Sequence, residues 1–413
     1  MKQGIFLLMT MVCGMVYLEG ESSNSYAFQR TPQGTYQVHA NNRWAPLNYK
    51  YDILPGSILD FSPLLDAPAG KYGRLMIVNE HFEFEKRPGV RVRFYGNHVG
   101  LEGITKGDCE KLAERFARMG YNSARIHVYD QDLQGKRSPS FELDVIQLDI
   151  LDYLFFCMKS KGIYLTMDLY VSRELFANEI PEFSGKMQHE IKFLAHFLDS
   201  AYDNWFRFSK NLLTHENPYT KIAWKDDPAL TSVSLINEDT PYHQMSMFPK
   251  VWETLLKPLY LDWAKKNGVQ DVENRSNTRR FLSEGYISSF KRMKKDLLAL
   301  GFKQPLTDVN FMEHVYQSMI RDSLDYVDEH CYYDHPIADD NQPMISAPLR
   351  YRMKLNEHDF ASLPRTAMGP RIIGKPFSLS EFHQPYPSSC RSSSGMIAAS
   401  YAMLQDASTQ VRF

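Results

Sequence analysis

Two glutamates in this sequence lie where apolar segments give way to polar ones. Glu238 follows Asn237 after the run 232–236 in "SVSLINEDTP", and Glu381 lies in "LSEFHQP" near the end of another short run. If both runs are parallel strands of one barrel, both carboxylates lie at the same mouth. A facing carboxylate pair suits hydrolysis of a glycosidic bond, because one acid protonates the leaving oxygen while the other attacks the anomeric carbon or activates water.

Other polar and aromatic side chains recur at the same end of further predicted strands. Arg125 stands in "ARIHVYD", Asp168 and Tyr170 stand in "MDLYV", and His330 and Tyr332 stand in "EHCYYDHP". A solvated loop has no need of Arg, His and Tyr at successive strand ends, whereas a site for a polar ligand does. Arg125, His330 and Tyr332 are therefore predicted to line one cleft with the two glutamates, and Asp168 and Tyr170 stay open as candidates.

Short apolar runs separated by helical patterns must position these residues. The helical patterns include 106–120 and 144–162, and strands are predicted at 90–98, 121–130, 163–171, 232–236, 304–311, 324–336 and 375–385. Such alternation indicates parallel strands joined by right-handed crossovers. Seven units favour an α/β protein with a (β/α)8 TIM barrel over an open sheet. No GxGxxG follows the first strand, which removes the main support for a dinucleotide-binding fold.

The barrel segment 90–413 is predicted to be truncated at its C-terminal end. An eighth strand is absent from the pattern or only begun at "QVRF". Before the barrel, residues 28–89 show alternating runs such as "GTYQVHANNRW" between Gly, Pro and Asn residues, which predicts a small β-rich element. Residues 1–27 combine Lys2, an apolar run and a small-residue stretch ending at Ala27, the pattern of a secretory signal peptide. An uncleaved apolar anchor is the alternative.

Composition narrows the function further. The formal net charge of −2 offers no broad basic field for nucleic acid. No later segment is apolar for about 18 residues, so no membrane span is expected in the mature chain, which would be secreted or periplasmic.

Cys109, Cys157, Cys331 and Cys390 are widely scattered and predict no metal site. One disulfide bridge would be compatible with an exported protein, but the spacing favours no pairing. No cofactor is expected.

The quoted motifs resemble clan A glycoside hydrolases, particularly glycoside hydrolase family 5 and its cellulase-like relatives. "LINED", "HCYYDHP", "LSEFHQP" and "ARIHVYD" carry the resemblance, which spans about residues 90–390. It implies that Glu238 is the acid/base and Glu381 the nucleophile. The surrounding substrate-binding residues that it implies are Arg125, Asn237, His330 and Tyr332.

Two departures from the family pattern shape the expectations. A His common at the end of the third strand is replaced here by Asp168 or Tyr170 in "MDLYVSR". The strand-eight Trp that usually forms a sugar platform is missing together with its strand.

Two hypotheses about function follow from the sequence. The first is an exported retaining hydrolase of a β-linked polysaccharide or oligosaccharide. The alternative is a non-catalytic glycan-binding barrel, or an inactive fragment, because strand eight is missing.

Overall fold

A computed structural model describes most of the chain after residue 51. The described ranges are 52–135, 138–176, 178–183, 187–311, 316–333, 362–383 and 391–413, with residue 42 and the short strands Gln29–Arg30, Tyr36–Gln37, Pro336–Ile337 and Arg350–Tyr351. The predicted signal segment 1–27 lies outside these residues. Across the described part, no helix combines the length and the apolar character that crossing a membrane requires.

Eight parallel strands build the core of the molecule, which confirms the (β/α)8 barrel predicted from the sequence. In chain order the strands are β1 Phe94–Val99, β2 Ser123–Ile126, β3 Tyr164–Asp168, β4 Leu230–Ser234, β5 Leu306–Thr307, β6 Val327–Tyr332, β7 Phe377–His383 and β8 Thr409–Arg412. They hydrogen-bond in the order β5-β4-β3-β2-β1-β8-β7-β6. A parallel bridge between Phe311 and His330 connects the two outer members of this series, with the His330 N–H donating to Asn310 O at 2.8 Å.

The presence of β8 corrects the expectation of a truncated barrel. This strand pairs with β1 from Thr409↔Phe94 to Arg412↔Asn97 and also with β7. Its four residues, TQVR, include a single aliphatic side chain, that of Val411, so the sequence carries too short a pattern to reveal it. The burial of β8 comes instead from its two neighbours. The inactive-fragment hypothesis, which depended on a missing strand, therefore loses its basis.

Helices follow most of the barrel strands. Their bounds are Lys106–Arg118, Asp130–Gln134, Val145–Ser160, Ile191–Leu194, Asp199–Thr214, Pro241–Met247, Pro249–Val251, Trp252–Leu256 (a π-helical turn), Lys257–Lys266, Arg275–Ala299, Gln317–Ser323, Ser362–Met368 and Arg391–Leu404. Local signals fix the first long helices. Thr105 and Asp108 form a capping box at one, Asp144 accepts from two backbone N–H groups at another, and such caps satisfy N–H groups that the helix leaves unpaired.

A three-stranded antiparallel sheet packs against the N-terminal ends of the barrel strands. Its strands are Leu75–Val78, His81–Phe84 and Arg87–Val92. Phe84 stacks on Tyr164 with ring centroids 4.8 Å apart, and Phe82 meets Tyr326 edge-on at 5.5 Å. The sheet belongs to the same compact unit, Ile53–Phe413, as the barrel. It supports the barrel at the end opposite to the predicted cleft. The sequence-based boundary at residue 89 stays a prediction.

The cysteines that the structure describes are not bridged. Cys109 and Cys157 are buried free thiols, Cys331 is also buried, and burial raises the pKa of Cys109 to about 11. Cys390 lies outside the described residues. A protonated, buried thiol packs as a small apolar side chain, so these three cysteines have a structural place in the core.

Gly96 tests the pairing of β1 with its neighbours. A Cβ atom at this position would lie 1.9 Å from the carbonyl oxygen of Ser123 on β2. We expect Gly96→Ala to lower the free energy of unfolding by about 1–3 kcal/mol, the usual cost of overpacking. Gly395→Ala is the control, because nothing lies within 4 Å of the added Cβ in its helix, and we expect it to be neutral or stabilising by up to about 1 kcal/mol. Urea unfolding curves that rank the two variants in the opposite order would contradict the strand packing.

Candidate active site

Arg125 forms hydrogen bonds with residues from three strand ends at the barrel mouth. Its side chain on β2 is only 2% exposed. The guanidinium donates from Nη2 to Asp168 Oδ1 at 2.6 Å and to Asn237 Oδ1 at 3.0 Å, and from Nη1 to Glu381 Oε1 at 2.7 Å. The partners come from β3, the loop after β4, and β7. One cation therefore holds three sides of the mouth together.

The charge of Arg125 keeps two buried carboxyl groups ionised. Burial alone would raise the pKa of Asp168, but Arg125 and a hydrogen bond from His127 hold it well below its usual range. Burial likewise opposes ionisation of Glu381, and the charges of His330 and Arg125 outweigh it, so that the pKa of Glu381 falls to about 2. Both groups are carboxylates at neutral pH.

Glu381 has further neighbours that orient it. The Tyr332 hydroxyl donates to its Oε2 atom. His127 lies between two acids, with Nδ1 2.8 Å from Asp168 Oδ2 and Nε2 3.7 Å from Glu381 Oε1. The first contact is a hydrogen bond, and it turns the opposite edge of the ring toward Glu381. One carboxylate oxygen thus faces Arg125 and the other faces the tyrosine, which fixes the plane of the group.

Glu238 is held by its backbone as well as by its side chain. It follows β4 with φ = +53°, in the left-handed region that non-glycine residues rarely adopt. Its N–H donates to Asn310 Oδ1 at 2.9 Å, and its carbonyl accepts from Gln244 Nε2 at 2.7 Å. These bonds compensate a conformation that costs about 1–3 kcal/mol. They direct the carboxylate toward His330, whose Nδ1 lies 3.1 Å from Glu238 Oε1.

The two glutamates and His330 form one cluster. One oxygen of each carboxylate and a ring nitrogen of the histidine all lie within 4.8 Å of one another. Burial tends to raise the pKa of Glu238, but the hydrogen bond and charge of His330, with a contribution from Lys192, lower it to about 2. Burial opposes protonation of His330, whereas Glu381 and Glu238 raise its pKa. A proton shared by the cluster therefore rests on the imidazole.

All six site residues predicted from the sequence lie at this mouth. Four of them converge on the two carboxylates: Arg125 and Tyr332 on Glu381, His330 on Glu238 and Glu381, and Asn237 through Arg125. Because Asn237 Oδ1 accepts from Arg125, its amide NH2 remains as a donor for a ligand. These placements describe geometry, and the catalytic and binding roles stay predictions.

The structure decides between the two residues considered for the end of the third strand. Asp168 reaches Arg125 and His127 in the cleft. Tyr170 instead turns its hydroxyl away, donating to the backbone carbonyl of Arg173 at 2.8 Å. At the end of β8, Phe413 is 45% exposed as a residue, and its ring stands edge-on to Tyr332 at a centroid distance of 5.9 Å. It occupies the strand end at which the family resemblance implies a Trp.

Sequence reasoning left Asp168 open and did not select several other residues that support this site: His98, His127, Asn310, Asp328, Ser380 and Phe413. A signal existed for Asp328, which alternates with His330 and Tyr332 on β6 and so shares their face. No such signal existed for Ser380. The register of β7 against β6 jumps from Glu329↔Leu379 to His330↔Glu381, which makes Ser380 the extra residue of a β-bulge. Strict alternation cannot reveal a bulged residue.

Three clusters in the described residues have donor sets that could suit a metal ion. They are Glu238–His330–Glu381, His98–His127–Glu381 and His196–Asp239–Asp308. In each cluster, at least one of the atoms that could bind a metal already makes a hydrogen bond within the protein. His330 bonds Glu238, His98 Nε2 lies 2.9 Å from Ser380 O, and His196 Nε2 lies 2.7 Å from Asp239 Oδ2. We therefore assign no metal to them.

Comparison with known proteins shows what the chain resembles in fold. Neither protein-family models nor the sequences of curated proteins give a significant match. Among solved structures, an endo-1,4-beta-mannanase from Rhizomucor miehei is similar with a TM-score of 0.54 and 12% identity, over 83% of this chain and 90% of that one. An endo-beta-1,4-mannanase from Thermotoga petrophila gives 0.51 and 12%, over 79% and 68%. A second structure, of the hyperthermostable endo-1,4-beta-D-mannanase from the same species, gives 0.50 and 13%, over 78% and 87%. The shared feature is the (β/α)8 barrel.

The buried Arg125–Asp168 pair gives a prediction for stability and pH. Asp168→Asn removes one charge of this pair, and we expect a loss of about 3 kcal/mol at pH 7, typical of breaking a buried ion pair. Because the folded-state pKa of Asp168 is depressed, its contribution is present above the unfolded-state value near 4 and is lost as the pH falls. The difference between wild type and variant should therefore shrink by about 1 kcal/mol between pH 7 and pH 3.

The matched control is Glu253→Gln, which removes an exposed partner of Lys257. Its effect should stay within about 0.5 kcal/mol at both pH values. Urea unfolding at the two pH values measures all three proteins. An Asp168→Asn effect that is as small as the control, or that does not change with pH, would contradict the electrostatic description.

Proposed function

We propose that this protein is a retaining glycoside hydrolase that cleaves β-linked polysaccharides or oligosaccharides. The observation that carries the proposal is the pair Glu238 and Glu381, whose nearest carboxylate oxygens lie within 4.8 Å of one another across the mouth. Retaining enzymes hold their two carboxyl groups about 5–5.5 Å apart, whereas inverting enzymes leave about 6.5–9.5 Å for a water molecule. The short separation favours double displacement.

In the proposed first step, Glu238 donates a proton to the glycosidic oxygen while Glu381 attacks the anomeric carbon. The bond from carbon to the leaving oxygen breaks, and a covalent glycosyl ester forms on Glu381. In the second step, Glu238 accepts a proton from water while the water oxygen attacks the same carbon. The bond from that carbon to Glu381 breaks, which regenerates the carboxylate and releases the sugar. The charges of His330 and Arg125 keep the pKa of Glu381 low, so the nucleophile is charged for the first step. The Tyr332 hydroxyl orients it by donating to Oε2.

Glu238 needs a proton before it can act as an acid. We propose that His330 is the source of this proton. In the open site the shared proton rests on the imidazole. A bound sugar excludes water, and a separated pair of opposite charges costs more free energy in a dry site. Transfer of the proton from Nδ1 to Glu238 Oε1 converts the pair into two neutral groups, which the dry site favours. The short contact between these atoms makes this transfer direct.

The named neighbours suggest which substrates to examine first. The solved structures with a similar barrel include endo-1,4-β-mannanases, so we propose β-1,4-mannans as one arm of a panel and β-glucans and aryl β-glycosides as the others. Turnover of at least one β-linked substrate by the purified protein is expected. Binding of oligosaccharides without turnover would instead favour the glycan-binding alternative.

We also propose that the protein is exported, because residues 1–27 carry the signal-peptide pattern. Expression of the full chain with N-terminal sequencing of the secreted product tests this. A mature protein that begins shortly after Ala27 is expected. Retention of the intact N-terminus on a membrane would support the uncleaved anchor.

Glu238→Ala separates the acid role from the base role. An aryl leaving group with a low pKa needs little protonation, so this variant should still form the glycosyl enzyme but release it slowly. Azide needs no general base and should restore turnover, giving a β-glycosyl azide. On unactivated oligosaccharides the loss should be about 10²–10⁴-fold. Near-full activity on such a substrate would show that Glu238 is only a loop residue.

Glu381→Ala should behave differently because no normal covalent intermediate can form. Activity should fall on activated and unactivated substrates alike, and any product rescued by azide should have the α configuration. Proton NMR of the products reports the configuration directly. A β-glycosyl azide from Glu381→Ala, with an α product from Glu238→Ala, would reverse the assignment of the two roles.

A further inference from the structure

Ser380 and Asp328 lie directly beneath His330, on the side away from Glu238. Ser380 is the bulged residue of β7, and its N–H donates to Asp328 Oδ1 at 3.1 Å. Its hydroxyl lies 2.5 Å from Asp328 Oδ2 and 3.0 Å from His330 Nε2. Asn310 Nδ2 adds a third donor to Asp328 at 3.3 Å. All three side chains below the imidazole are almost completely buried.

Counting hydrogens in this chain of contacts fixes the state of Nε2. A carboxylate only accepts hydrogen bonds, and a serine hydroxyl has one hydrogen to give. With three donors directed at Asp328, the hydroxyl hydrogen of Ser380 points to that carboxylate. The Ser380 oxygen then faces His330 Nε2 with a lone pair. Nε2 must therefore carry a hydrogen.

The opposite ring nitrogen then needs a proton in its contact with Glu238. Nδ1 lies 3.1 Å from Glu238 Oε1 and 3.5 Å from Glu381 Oε1. If Nε2 already holds the single hydrogen of a neutral ring, lone pairs of Nδ1 and Glu238 face each other unless one more proton lies between them. We propose that Ser380 and Asp328 are positioning residues that hold His330 in this tautomer and so reserve a proton for the Glu238–His330 pair. The inference deepens the proposed function, since this is the proton that a general acid delivers.

The charged surroundings of His330 support the arrangement. Glu238 and Glu381 face Nδ1, while Arg125 Nη1 at 3.3 Å and Asp328 Oδ2 at 3.9 Å face Nε2. Glu329 precedes His330 on β6 but forms its own ion pair with Arg321. The carboxylates raise the pKa of His330 despite its burial. Without the serine oxygen, Nε2 loses its acceptor and keeps Arg125 Nη1 as a neighbouring donor. This favours the other tautomer, in which a neutral ring donates from Nδ1 and no further proton is reserved.

Ser380→Ala tests the inference through the pH dependence of kcat/KM. The alkaline limb of the profile reports loss of the proton from the acid. We expect the limb to move to lower pH by about one unit, equivalent to a tenfold loss of activity above it. The effect should be larger on an unactivated β-linked oligosaccharide than on an aryl glycoside with a good leaving group. Ser380→Thr, which keeps the hydroxyl, should restore the wild-type limb.

Ser378→Ala is the matched control, because this buried serine lies two residues earlier on β7 and aligns with Asp328. It should leave the alkaline limb in place. A uniform loss of activity in Ser380→Ala with unchanged pH limbs would show a structural role only and would overturn the proposal.

Imidazole nitrogen NMR gives a readout that does not depend on catalysis. In protein labelled with ¹⁵N-histidine, the His330 Nε2 signal should be that of a protonated nitrogen across the titration in wild type and in Ser380→Thr. In Ser380→Ala the titration midpoint should fall and Nε2 should become unprotonated. If no β-glycoside is hydrolysed but these shifts occur, the proposed function fails and the positioning role stands. If His330 titrates identically in wild type and Ser380→Ala, the positioning role is wrong whatever the activity.

Discussion

The buried charge of Arg125 is the constraint on which the site depends. A guanidinium that is 2% exposed cannot keep its hydration, so it requires partners inside the protein. Asp168 and Glu381 supply the charge, and Asn237 supplies a further acceptor. These partners lie on different sides of the barrel. The hydrogen bonds that Arg125 makes to them therefore also set how far apart Asp168, Asn237 and Glu381 lie at the mouth. The geometry required for two-carboxylate chemistry follows from that requirement.

The same charges account for the position of the mobile proton. Asp168 and Glu381 contact the guanidinium of Arg125, and Glu238 lies beside Glu381 and His330. These three acids outnumber the single guanidinium, so this cluster carries excess negative charge when all three ionise. His330 contacts two of these acids, and their charges raise its pKa despite its burial. The barrel interior below is lined by hydroxyl-bearing side chains rather than by the branched aliphatic ones usual in such barrels. A polar interior can therefore hold Asp328 and Ser380 beneath the imidazole.

Sequence reasoning predicted the parallel barrel, since alternating strands and helices leave few topologies. It also predicted the residues that converge on the mouth, because side chains at the ends of parallel strands must meet there. It missed β8, whose four residues owe their burial to neighbouring strands rather than to their own pattern. Ser380 escaped for a related reason, since a bulge breaks the alternation from which inward-facing residues are inferred. Both β8 and Ser380 are buried because of the strands beside them and not because of a pattern in their own sequence, so the sequence could not reveal them.

The proposed mechanism requires that Glu381 become covalently linked to the sugar. A 2-deoxy-2-fluoro β-glycosyl fluoride, chosen for the sugar that the protein hydrolyses, should form the intermediate and release it slowly, because the fluorine destabilises both transition states. Mass spectrometry of peptides from the inactivated protein should locate one glycosyl group on Glu381. Label on another residue would contradict the account. So would hydrolysis of the natural substrate by a protein that never acquires a label and inverts the anomeric configuration.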